Sequence, residues 1–121
     1  MPHLHVEYTR NLPITEVETL LLRLNHALMA TGHFANEADI KSRAVEVQTF
    51  RIGTAPGTRS FLYAKLALLA GRSPEAKKQV SDALLEVLKQ AAAWPPGSDI
   101  QFSVEIVDMQ RESYGKERFL G

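Results

Sequence analysis

Cysteine is absent from this 121-residue chain, which at once removes a disulfide framework, a thiolate metal site and a cysteine nucleophile. Net charge is absent too, since fourteen basic and fourteen acidic residues cancel. No overall field draws the chain to nucleic acid or to an acidic membrane, so recognition of an anion has to be local. There is no apolar run near the roughly 20 residues that span a bilayer. The start also lacks the basic and apolar regions of a secretory signal. The expected location is the cytoplasm, with neither nucleic acid nor membrane as partner. The patterns G-x-G-x-x-G, P-loop, H-E-x-x-H and nucleophile elbow are missing as well, and with them the signatures of nucleotide, zinc-protease and serine-hydrolase sites.

What is present suffices for one core. With 45% hydrophobic and 23% charged residues, the chain reads as a single folded domain over residues 1–121. Leu4, Val6 and Tyr8 alternate with His3, His5 and Glu7, which predicts a strand over Pro2 to Tyr8. Thr15 and Glu18 have the spacing of a capping box. Val17, Leu20, Leu21, Leu24, Ala27 and Leu28 then mark one helical face that should end at Thr31-Gly32. A second strand is expected at about Arg43 to Ile52, with a bulge where its apolar phase shifts. After the turn at Pro56-Gly57 a third strand, about Phe61 to Leu69, is apolar on both faces. Ser73 and Pro74 open a second helix as N-cap and N1. Trp94-Pro95-Pro96-Gly97 breaks it, Trp94 itself reading as core, and Ile100, Phe102, Val104 and Ile106 alternate as a fourth strand. The polar tail from Asp108 packs elsewhere or frays.

The order β-α-β-β-α-β defines an α+β fold of two βαβ units, about 1–52 and 60–107, plus the tail. Right-handed crossovers put both helices on one face of a four-stranded sheet. The other face is left bare, and with an apolar third strand it forms a patch that calls for an oligomer.

Candidate chemistry starts at Pro2. In one reading it simply begins a strand, where its missing N–H costs nothing. In the other, removal of Met1 leaves a secondary amine that titrates near neutral pH beside cations and acts as a general acid/base. Arg72 stands just before a helix start, where a cation opposes the macrodipole. Either it is a solvated loop arginine, or it joins the free amides of Ser73 to Ala76 in holding a carboxylate. Lys41 and Arg43 share one face of the second strand, as a carboxylate clamp or as an edge-strand charge pair. The run His3, His5, Glu7 invites a metal reading, but no further ligand has motif spacing, so these side chains read as structural or interfacial.

Taken in order, MPHLHVEYTRNL, N-H-A-L-x-A-T-G-x-F, A-D-I-K-S-R-A, L-x-A-G-R-S-P-E-x-K and F-S-V-E-I-V-D-M resemble the 5-carboxymethyl-2-hydroxymuconate isomerase family. That family belongs to the tautomerase superfamily, with 4-oxalocrotonate tautomerase and macrophage migration inhibitory factor. The resemblance runs from Met1 to about Lys116. It implies a homotrimer that acts on a small-molecule carboxylate in the homoprotocatechuate branch of aromatic catabolism, without cofactor or metal. It further implies that Pro2, once Met1 is removed, carries a proton from the 2-hydroxyl oxygen to C5 of a hydroxymuconate-type dienol. Arg72, Arg43 and Lys41 match the positions that bind substrate carboxylates. Lys41 departs from the family's frequent arginine and cannot form a bidentate fork. Lys116 falls near a basic residue of the family's tail. Two other readings stay open: another superfamily reaction on an unsaturated acid, such as hydration or dehalogenation, and a non-catalytic trimeric binding protein.

Overall fold

The computed structural model describes all residues from Met1 to Gly121. Its elements are β1 (His3–Thr9), α1 (Val17–Ala30), β2 (Lys41–Val47), β3 (Ser60–Leu69), α2 (Pro74–Lys89) and β4 (Ile100–Met109), with short 3₁₀ turns at Glu37–Asp39 and Arg111–Ser113. The four strands lie in the order β2-β1-β3-β4. β1 runs parallel to β2 and β3 parallel to β4, while β1 and β3 are antiparallel and join the two βαβ halves.

Alternation in the strands decides which face is covered. Leu4, Val6 and Tyr8 pair across the sheet with Leu66, Ala64 and Leu62, and all six are buried. Leu20, Leu24 and Leu28 from α1 and Val80, Leu84 and Leu88 from α2 recur every four residues and close over that face in one core. Full burial of each such leucine removes apolar surface worth about 1.5–3 kcal/mol. The hydroxyl of Thr9 stitches the end of β1 to β3 by accepting from the Phe61 amide at 3.2 Å, which satisfies a fully buried polar group.

Three expectations need correction. The capping box does not form: the first helical bond runs from the Leu20 amide to the Glu16 carbonyl, and Glu16 caps α1 without a side-chain bond. Leu12 and Ile14 are buried ahead of the helix, and their burial competes with a helix start at Thr15. β2 begins and ends earlier than expected, because only β1 pairs with it and β1 ends at Thr9 opposite Val47; the phase shift near Phe50 marks the strand's exit and not a bulge. Trp94, by contrast, packs against the core as read, half-buried against Phe102 with ring centroids 5.5 Å apart. Its indole N–H donates to the Lys89 carbonyl at the end of α2, 2.8 Å away.

The third correction concerns the helix-free face, which is not uniformly apolar. Its centre holds His5, Glu7, Arg43, Tyr63, Lys65 and Glu105 on adjacent strands, with Tyr63 donating to Glu105 at 2.6 Å. That bond, with burial, pushes the Tyr63 phenol up to about 12. Apolar side chains on this face lie toward one end at Ala67, Leu69, Val107 and Met109, and toward the other at Val45, Val47 and Phe61.

Other signals act as read. Gly32 takes a φ of 79° just past α1, a conformation that spares glycine the Cβ penalty. Ser73 caps α2, its hydroxyl accepting from the Ala76 amide at 3.1 Å. Ser73→Ala should therefore cost about 1 kcal/mol of unfolding free energy in urea titration, whereas Thr15→Ala should cost no more than about 0.5 kcal/mol, the range of a plain surface change. Equal losses at the two positions would mean that the capping assignment is wrong.

Candidate active site

β1 is an interior strand, so the chain begins inside the sheet and not at its edge. The Pro2 carbonyl accepts from the Lys41 amide at 3.1 Å, and Pro2 is buried while Met1 is partly covered. Proline suits this position because its missing N–H leaves no buried donor unpaired.

Three elements deliver cations to this chain start. Arg72 comes from the β3–α2 turn, Lys41 from the first residue of β2, and Lys116 from the tail; Asp39, just ahead of β2, supplies the one carboxylate. Burial first, then Arg72, Lys41 and Lys116, hold the α-amino group below its ordinary value, while Asp39 pulls the other way. Lys116 donates to Asp39 at 2.9 Å, and that bond is the main reason the Asp39 carboxyl sits below its usual range. Lys41 donates to the Asp39 backbone carbonyl. Its ammonium is lowered by burial and by Lys116 and Arg43, against the opposing pull of Asp39.

Arg72 does not face the amides of α2 as expected. Ser73 already occupies the Ala76 amide. The Arg72 guanidinium instead lies over the Phe34 ring, 5.1 Å from its centroid, and donates to the His33 carbonyl at 3.3 Å and the Leu69 carbonyl at 3.5 Å. Cation–π contact and carbonyl acceptors hold the group in place without neutralising it. The preceding Gly71, at φ 123°, allows the sharp exit from β3 that aims Arg72 this way.

The structure thus gathers Pro2, Arg72 and Lys41 around the chain start, while Arg43 stands one step out. Arg43 is exposed and donates to Nδ1 of His3 at 3.0 Å. Arg72, Lys41 and Arg43 make no ion pair with a carboxylate, as is also true of Arg10, Arg23, Arg51, Lys65, Arg111 and Arg118, whereas Lys116, Lys77, Lys78, Lys89 and Arg59 each make one. Uncompensated cations held by neutral partners are what a carboxylate ligand needs. His3, His5 and Glu7 do not converge: His5 meets Glu7 at 3.1 Å, while His3 turns to Arg43 and to the Tyr114 hydroxyl, 2.9 Å away. No group of three or more His, Asp or Glu side chains has metal-holding geometry.

Asp39, Phe34 and Tyr114 escaped the sequence reading. Asp39 and Phe34 lie within the motifs that carry the family resemblance, A-D-I-K and T-G-x-F. Nothing local marks Tyr114, whose partner is 111 positions away. The concave surfaces of the single chain lie elsewhere: by the 50–59 loop, between the 11–13 and 95–100 segments, and along α1.

A four-stranded β-α-β-β-α-β sheet with both helices on one face has the tautomerase-superfamily fold. The same fold occurs in a fused 4-OT wild type symmetric trimer, which is 21% identical, with a TM-score of 0.74 over 98% of this chain and 94% of that one. Within that class the chain belongs to the 5-carboxymethyl-2-hydroxymuconate isomerase family, whose sequence pattern matches residues 2–119, and it is an isomerase of that family. A 5-carboxymethyl-2-hydroxymuconate isomerase from Deinococcus radiodurans R1 is 32% identical, with a TM-score of 0.87 over 98% of this chain and 90% of that one. The 5-carboxymethyl-2-hydroxymuconate Delta-isomerase of Escherichia coli is 32% identical over 90 residues, 74% of this chain and 71% of that protein.

Asp39 is the only group near the chain start that raises the amine's pKa. Asp39→Asn should therefore lower the amine's pKa further, as followed by the pH dependence of the first residue's Cα shift in NMR. An unchanged or higher pKa would show that the Asp39 charge does not reach the amine.

Proposed function

We propose that the mature chain begins at Pro2 and that its secondary amine moves a proton within 5-carboxymethyl-2-hydroxymuconate or a close enol carboxylate. The observation that carries this reading is a buried Pro2 behind a partly covered chain start, with the charges of Arg72, Lys41 and Lys116 acting on the amino group. With Met1 attached, the Pro2 nitrogen is an amide and has no basicity. With Met1 removed, the α-amine moves one residue inward, about 3.8 Å along the chain, to a buried position in the same field. Both the burial and the cations favour its neutral form, so at neutral pH it starts as a base.

The amine takes the proton from the 2-hydroxyl oxygen as the C2–O bond becomes a carbonyl. The double bonds shift from C2=C3 and C4=C5 to C3=C4, and the resulting ammonium returns the proton to C5. One O–H bond breaks and one C–H bond forms, with no net redox change, so the transfer calls for neither cofactor nor metal. Arg72 and Lys41 bind carboxylates on either side of the amine and stabilise the negative charge that spreads through the dienolate. Arg43 takes a more distant carboxylate. Lys41, as a point charge, gives less directional binding than a guanidinium would, which suits a substrate end that tolerates variation.

We further propose a cytoplasmic homotrimer. The helix-free face with its half-covered apolar ends, together with the symmetric trimer described for the fused 4-OT neighbour, supports that assembly. A neighbouring subunit would then wall the side of the site that one chain leaves open. Sedimentation equilibrium should give three times the chain mass, and a monomer at micromolar concentration would overturn the assembly.

The central test pairs intact mass with ketonisation of 5-carboxymethyl-2-hydroxymuconate. Active protein should lack Met1, and Pro2→Ala should lose about 10²–10⁴ in rate while remaining folded. Full turnover by protein that retains Met1 would sink the mechanism. Arg72→Ala should lose a charge-assisted contact of about 1.5–3 kcal/mol, seen as a higher KM with a lower kcat. Unchanged kinetics would remove Arg72 from the site.

A further inference from the structure

His3 connects three parts of the molecule that are remote in sequence. It sits on β1 directly after Pro2, its Nδ1 is 3.0 Å from an Arg43 guanidinium nitrogen on β2, and its Nε2 is 2.9 Å from the Tyr114 hydroxyl in the tail. The tyrosine ring also stands edge-on to the imidazole, with centroids 6.0 Å apart.

Donor chemistry fixes the state of this ring. Arg43 can only donate, so Nδ1 must keep its lone pair and the proton of the neutral imidazole must sit on Nε2. Nε2–H then donates to the Tyr114 oxygen. The charges around the ring agree with a neutral imidazole, because burial, Lys41, Arg43 and the chain's amino group all disfavour protonation. Arg43 is exposed and has no carboxylate partner, and its one side-chain hydrogen bond, to His3, directs where its guanidinium points.

We propose that His3 is a positioning residue that sets where Arg43 meets the substrate's distant carboxylate, with Tyr114 holding the imidazole in the orientation this requires. His3 neither gives nor takes the transferred proton. Its consequence is for recognition: the grip on a polycarboxylate runs from the tail through Tyr114 and His3 to Arg43. The inference rests on the reading of Arg43 as a carboxylate binder.

Histidine nitrogens can be replaced one at a time, since the Asn side-chain oxygen reaches about where Nδ1 stands and the Gln nitrogen about where Nε2 stands. On 5-carboxymethyl-2-hydroxymuconate, His3→Gln should raise KM about five- to tenfold, as expected when a charge-assisted contact no longer aims its partner, with kcat nearly unchanged. His3→Asn should recover most of that loss, and Tyr114→Phe should show a smaller rise in KM of the same kind. In an Arg43→Ala background, His3→Gln should add nothing, because the two changes remove one interaction. For the unaltered protein, ¹⁵N NMR should show the Nε2–H tautomer of His3, a readout that needs no variant to fold.

An Nδ1–H tautomer, a fall in kcat at constant KM, or additive effects of His3→Gln and Arg43→Ala would each overturn the proposal. If Arg43→Ala itself leaves KM unchanged, the underlying assignment of Arg43 fails and this inference falls with it. If Arg43→Ala raises KM while His3→Gln does not, only the positioning role fails.

Discussion

Everything at the candidate site depends on β1 being an interior strand. A chain terminus ordinarily lies at the surface and frays. Here the first strand is hydrogen-bonded to β2 on one side and β3 on the other, and the bond from the Lys41 amide to the Pro2 carbonyl carries that order to the second residue. A residue without an N–H is the natural one to bury there. The same parallel pairing sets Lys41 opposite His3, so the position of a cation beside the amine follows from sheet register and not from a flexible side chain finding its place.

The electrostatics follow from that placement. Cations around an amine favour its neutral form, yet they repel one another and have lost part of their hydration. Lys116 is offset by Asp39. Arg72 is not: it is supported by two carbonyls and an aromatic face, which orient it while leaving its charge available. The chain start is therefore locally positive within a chain of zero formal charge. On the function proposed above, a polycarboxylate that enters relieves this repulsion beside the amine.

Much of the fold was legible in residue spacing. The alternation in β1 and β4, the four-residue leucine spacing in both helices and the Ser73-Pro74 start of α2 each report a local backbone preference, and the structure follows them. The failures came where tertiary contacts outrank local signals. Buried Ile14 delays α1 past Thr15, and the length of β1 ends β2 at Val47. Tyr63, Lys65 and Glu105 make the open face polar at its centre, because all four strands contribute to it and β3 itself turns Tyr63 and Lys65 to that side. At the site, Pro2, Arg72 and Lys41 were nameable because position, dipole conflict and motif mark them. The direction of Arg72 was not, since Phe34 lies on a loop beyond α1. Asp39 and Tyr114 were not either, because each gains meaning only through contact with a distant part of the chain.

The tail shows how such distant contacts acquire a role. Arg111 donates to the Ala70 carbonyl at 2.6 Å, next to the Gly71-Arg72 turn, Tyr114 reaches His3, and Lys116 reaches Asp39. Three anchors therefore touch the three elements that surround the amine: the β3–α2 turn, β1 and the approach to β2. Each contact is polar and none belongs to the leucine core, so stability alone does not account for where they fall. A segment fixed only at the margin of a site can tune the site's charges while the sheet keeps its register. That separation fits an interior strand holding the amine in place while a short polar tail adjusts what surrounds it.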